Sequence, residues 1–86
     1  MQDSYNYELR IYYNDRGKIS YTVIHVSTNT RTVFSSSIVA VIDDLNDMAM
    51  CEYFHGYAPL LHLPLIQSIP FNCVSELYNN YPEVFL

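Results

Sequence analysis

Hydrophobic and polar residues alternate strictly over residues 5–13, YNYELRIYY. Tyr5, Tyr7, Leu9, Ile11 and Tyr13 fall on one side, and Asn6, Glu8, Arg10 and Tyr12 on the other. A period of two marks a strand with one buried face. Residues 14–17, NDRG, supply turn chemistry with a Gly at the position that needs positive φ, and ISYTVIHV (19–26) returns as the second strand. With Asp15, Arg16 and Gly17 as the loop, Asn14 faces Lys18, Tyr13 faces Ile19, Ile11 faces Tyr21, Leu9 faces Val23 and Tyr7 faces His25. The apolar faces then coincide, so turn chemistry and hydrophobic pattern agree on one register.

STNT (27–30) reads as a second turn and RTVF (31–34) as a short third strand. SSS (35–37) offers N-cap hydroxyls, and the period then changes: Ile38, Val41, Ile42, Leu45, Met48, Ala49 and Tyr53 form one i, i+3, i+4 stripe. This predicts the main helix within 35–56, with Gly56 as its C-terminal stop. Beyond it, 57–86 is a Pro-broken tail. PLIQSI (64–69) is expected to make one or two helical turns, Asn72 to cap a short helix over 73–80, and YPEVFL (81–86) to be extended. The expected fold is α+β: an antiparallel hairpin plus a short third strand (1–34), one helix packed on the sheet, and a tail with a short C-terminal helix.

Composition narrows the class. The 86 residues suit a single small domain. Charged residues make up 15% of the chain, below the usual ~25%, and the nine Tyr and four Phe argue against disorder. The run YAPLLHLPLI (57–66) is about half the ~20 residues of a membrane span, and Pro and His interrupt it. The first ten residues lack the basic and apolar regions of a secretory signal, so the expectation is a cytoplasmic protein with reduced thiols.

Charge is distributed unevenly. Arg10, Arg16, Lys18 and Arg31 all precede residue 32, whereas residues 32–86 hold Asp43, Asp44, Asp47, Glu52, Glu76 and Glu83 and no Lys or Arg. Phosphate binding needs cations, so direct nucleic-acid binding by this half is not expected. A basic protein partner is favoured instead.

Chemistry-bearing residues are sparse. Cys51, His55, His62 and Cys73 have zinc-ligand side chains, but their spacing lacks the close Cys pair of compact zinc sites, so neither metal nor cofactor is expected. No phosphate-cradling loop, nucleophile elbow or metalloprotease motif occurs, and no catalytic role is assigned. His25 is expected to be structural, hydrogen-bonded on the inner hairpin face. Tyr12, Ile24 and Val26 make the outer hairpin face more apolar than solvent requires.

The expectation is therefore a small acidic, non-enzymatic inhibitor that blocks a basic, nucleic-acid-binding surface of a larger protein. This is the class of anti-CRISPR, anti-restriction and nuclease-immunity proteins. Asp43, Asp44, Asp47, Glu52, Tyr53, Tyr57, Tyr78 and Tyr81 are the candidate partner-binding residues. Six carboxylates in this half are too few for a nucleic-acid mimic, which favours ordinary surface blocking. The alternative is a homo-oligomeric assembly subunit, for instance a homodimer joined through an exposed strand at 31–34.

Overall fold

In the computed structural model, which describes residues 5–51, 56–57 and 65–85, the first hairpin forms in the register that its turn dictates. Strands β1 (Tyr7–Tyr13) and β2 (Ile19–His25) are antiparallel, with Tyr7 opposite His25, Leu9 opposite Val23 and Tyr13 opposite Ile19. Gly17 has φ of 76°, and the Gly17 N–H donates to the Asn14 carbonyl at 2.9 Å. The Asn14 side-chain oxygen accepts from the Arg16 and Lys18 N–H groups, both at 2.9 Å. An Asn at this place thus satisfies the loop's own donors.

Three more strands complete the sheet: β3 (Thr30–Arg31), β4 (Gly56–Tyr57) and β5 (Leu65–Phe71), in the order β4-β3-β2-β1-β5. Every pairing is antiparallel. Of the expected strand at 31–34 only Arg31 falls in β3; that strand lies between β2 and β4 and is not a free edge, and the edge on the hairpin side is β5. Gly56, expected as the helix stop, belongs to β4, opposite Arg31, and the four residues before it lie outside the described residues.

Strand β5 corrects the expected helical turns at 64–69. Its alternate residues Ile69 and Phe71 face Leu9 and Tyr7 of β1 and are buried. Pro64 suggested a helix start, but β1 has two edges to satisfy. Pro70 is tolerated because β5 is an edge strand, where a missing N–H costs no ladder bond. The pairing shifts between Ile11–Gln67 and Tyr12–Leu65, which leaves Ile66 as a bulge.

Helix α1 (Ile38–Cys51) covers the odd-numbered face of the hairpin. The Ser37 hydroxyl caps it, accepting from the Ala40 N–H at 3.3 Å. Ile38, Val41, Ile42 and Leu45 are buried against Leu9, Ile11, Val23, Ile69 and Phe71. Met48, Ala49 and Tyr53, at the far end of the stripe, lie outside the described side chains.

Helix α2 (Val74–Asn80) adds the fully buried Leu77 to the same core. Its N-cap is Cys73, without a side-chain cap bond. The Asn72 carboxamide, expected to cap α2, accepts instead from the Asn6 N–H at 3.1 Å. Residues Pro82–Phe85 form a 3₁₀ turn rather than an extended end, with Pro82 at its first position. Tyr81, Val84 and Phe85 pack on the core from there.

The opposite, even-numbered face of the sheet is also largely shielded. Tyr12 is 3% exposed, and Thr22 and Ile24 are buried. The Phe34 ring meets Tyr12 edge-on at 6.3 Å. Val26, also on this face by sequence, stays exposed.

Candidate protein-binding surface

Helix geometry divides the acids of α1. Asp43 and Asp47 are one turn apart and exposed, on the side away from the buried stripe. Asp44 is set on the flank and turned inward: Asp44 Oδ2 accepts from the Val33 N–H at 2.9 Å.

The reason lies in a bulge. Ile24 pairs with Arg31, but Tyr21 pairs with Ser35, so Val33 and Phe34 both stand against Thr22. An extra residue breaks the ladder and frees backbone donors. Val33 N–H is taken by Asp44. Val23 N–H is taken by the buried Thr32 hydroxyl at 3.0 Å, while the Thr32 N–H returns to the Val23 carbonyl at 3.0 Å. Asp44 therefore has a structural task that its neighbours lack.

The cations sit elsewhere. Arg10 and Arg31 lie opposite Thr22 and Ile24, on the even-numbered sheet face, so the sheet separates them from the helical layer. Arg10 Nε pairs with Glu8 at 3.0 Å. Arg10 Nη1 reaches the Tyr12 hydroxyl at 3.4 Å, and the Ser68 hydroxyl donates to Glu8 from β5. The bond to Tyr12 is the main cause that raises the Arg10 pKa; burial opposes it, and Glu8 adds a hydrogen bond and opposite charge. The Arg31 guanidinium lies 4.5 Å over the Phe34 ring and donates to the Thr32 carbonyl at 3.0 Å. Arg16 and Lys18 are exposed at the hairpin end.

The rest of the helical layer continues the acidic pattern. Glu83 is exposed. Glu76 accepts from the Asn72 N–H at 3.2 Å and so secures the start of α2. Tyr78 is 50% exposed, and its ring stacks on Phe85 with centroids 4.2 Å apart. Tyr81 is partly buried against the core. Tyr57 lies in β4 opposite Thr30. Glu52 and Tyr53 lie outside the described residues, as do His55 and His62.

The predicted residues whose side chains are described divide into exposed groups (Asp43, Asp47 and Tyr78) and groups with internal partners (Asp44 and Tyr81). Phe85, which supports Tyr78, carried no local signal, because the chain reversal at Tyr81–Pro82 creates the pair.

Other chemistry is limited. Cys73 is an exposed free thiol. Among the described residues no group of three or more His, Cys, Asp or Glu is arranged to hold a metal ion, and no helix is long and apolar enough to cross a membrane. His25 Nδ1 lies 2.8 Å from the Thr28 hydroxyl, with its ring 5.5 Å from Tyr7. No family model, curated protein or solved structure matches this chain.

Proposed function

We propose that this protein is a non-enzymatic binding inhibitor that uses its helical layer to block a basic surface on a larger cytoplasmic protein. The observation that carries the reading is the placement of Asp43 and Asp47: both are exposed on α1, with no ion-pair partner among the described residues. The chain's two sheet-face arginines lie on the other side of the sheet, engaged with Glu8, Tyr12, Phe34 and Thr32. An acidic face without internal cations steers encounter with a basic partner, and aromatic groups beside it supply contact area. Basic surfaces of this kind are typical of nucleic-acid-processing enzymes. That is why the anti-CRISPR, anti-restriction and nuclease-immunity class suits the chain best.

The test is affinity capture with the immobilised chain beside the Asp43→Lys/Asp47→Lys variant. The wild type is expected to recover a protein with a basic surface, and the variant at least roughly tenfold less of it. The difference should widen at low salt, where screening is weak. Equal recovery by both chains would remove the acidic face from the binding reaction.

A second reading, a homo-oligomeric assembly subunit, draws on β5, an edge strand that exposes Leu65 and Ile66. The bulge at Ile66 and the missing donor at Pro70 oppose continuous edge-to-edge pairing. Sedimentation equilibrium separates the two: a strict monomer rules out self-assembly through this edge.

A further inference from the structure

We infer that the exposed ring of Tyr78 is a docking platform for an arginine side chain of the partner, an inference that rests on the reading of the helical layer as the binding surface. Tyr78 projects from α2, and Phe85 comes back beneath it from the 3₁₀ turn, with the ring planes inclined by 24°. One face of the Tyr78 ring is occupied by this stack, yet half of the residue remains open to solvent. Phe85 is itself anchored on the core, so the platform is rigid before anything binds. A preformed aromatic surface loses little side-chain freedom on binding.

Charge selects the occupant. Helix α2 and the 3₁₀ turn carry Glu76 and Glu83, α1 packs against that turn and carries Asp43 and Asp47, and no Lys or Arg occurs anywhere from residue 32 to residue 86. A neutral aromatic ligand would gain nothing from such surroundings, whereas a cation gains from both the acids and the ring face. A guanidinium suits the platform better than an ammonium. It is flat, weakly hydrated, and stacks on a ring while its edge donors remain free for carboxylates. The chain itself uses this geometry on its other face, where Arg31 lies 4.5 Å over Phe34. Among the described residues no arginine lies over the Tyr78 ring, and the proposed one comes from the partner.

The test compares octa-arginine with octa-lysine, titrated into the protein at equal ionic strength and followed by NMR. Octa-arginine is expected to bind about two- to fivefold more tightly, the size of an exposed cation–π contact, and to shift the Tyr78 ring signals more than octa-lysine does. Tyr78→Leu should abolish the preference while leaving the rest of the spectrum native, and Tyr78→Phe should retain it. Equal affinity for the two peptides, or a preference that survives Tyr78→Leu, overturns the platform. Binding of both peptides that is lost in Asp43→Lys/Asp47→Lys but indifferent to Tyr78 overturns the platform and leaves the acidic surface standing. An arginine preference that depends on Tyr78 but not on Asp43 and Asp47 does the reverse. No binding of either peptide overturns both.

Discussion

Asp44 of α1 accepts a hydrogen bond from the backbone N–H of Val33 at 2.9 Å and so ties the helix to the bulge beside β3. An aspartate in an acidic row would ordinarily be interchangeable with its neighbours, and this bond separates it from them. Removing the acceptor leaves a half-buried N–H unsatisfied, which costs about 1–3 kcal/mol. Asp44→Ala is therefore expected to destabilise the fold by at least about 1 kcal/mol in urea denaturation. Asp43→Ala and Asp47→Ala should stay within about 0.5 kcal/mol of wild type. Relief of like-charge repulsion between Asp43 and Asp47 accounts for a few tenths of a kcal/mol in the stabilising direction. Three equal effects would mean that Asp44 has no separate role.

Thr32 performs the matching task on the other side of the bulge. Its buried hydroxyl takes the Val23 N–H at 3.0 Å and lies 3.3 Å from the Thr22 hydroxyl. Thr32→Val keeps the shape and removes the acceptor, so a loss of about 1–3 kcal/mol is expected. Because Thr32 and Val33 adjoin, Thr32→Val and Asp44→Ala should combine non-additively in a double-mutant cycle. Strict additivity would show that the bulge does not behave as one unit.

Backbone conformation decides the outcome at the hairpin loop. Gly17 has φ of 76°, and a Cβ there would meet nothing within 4 Å. Space is therefore not limiting, and the cost of Gly17→Ala is conformational, about 1 kcal/mol. A chemically synthesised chain with D-alanine at 17 should recover that loss, since a D-residue favours positive φ. Equal stability of the L- and D-alanine proteins in chemical denaturation would contradict the loop geometry.

The hairpin and α1 were legible because independent cues agreed. The Asn14–Gly17 turn and the alternation of Leu9, Ile11, Tyr21 and Val23 called for the same register, and the Ile38–Leu45 stripe marked the buried side of α1, which also placed Asp43 and Asp47 outward. Strand β5 was not legible. Gln67 and Ser68 interrupt its apolar pattern, and Pro70 is a strand breaker everywhere except at an edge. Only the need of β1 for a second neighbour reveals it, and that need is a property of the assembled sheet. The inward turn of Asp44 was hidden for a similar reason: its partner depends on a bulge that no local pattern announces.

The edge position of β5 has its own signature. The Asn14 N–H donates to the Lys18 carbonyl and the Val26 N–H to the Asn6 carbonyl, so the even-numbered positions flanking β1 bond toward the β2 side. By antiparallel alternation the odd-numbered positions of β1 bond toward β5. Gln67, Ile69 and Phe71 then direct their N–H groups to β1, and Ser68 directs its own to the open edge. Hydrogen exchange should show protection at 67, 69 and 71 and fast exchange at 68. Uniform protection would mean that something pairs with the edge in solution, as the assembly-subunit reading requires.

The C-terminal segment is the last point at which sequence and structure invite different expectations. The segment reads in sequence as a Pro-broken tail, yet Leu77 is completely buried with Leu9, Val41 and Phe71 in one core. Truncating a buried Leu to Ala costs about 2–5 kcal/mol, a large part of the stability available to so small a domain. Leu77→Ala is expected to lower the urea midpoint severely or leave the chain unfolded. The adjacent Tyr78→Ala should cost only about 0.5–1.5 kcal/mol, for the lost stack on Phe85. The contrast between neighbouring residues is the diagnostic: a peripheral tail would make both changes mild, and a tail that completes the core makes only Leu77 indispensable. It also makes Tyr78 suitable for binding tests, since its ring can be altered while the core that supports it stays intact.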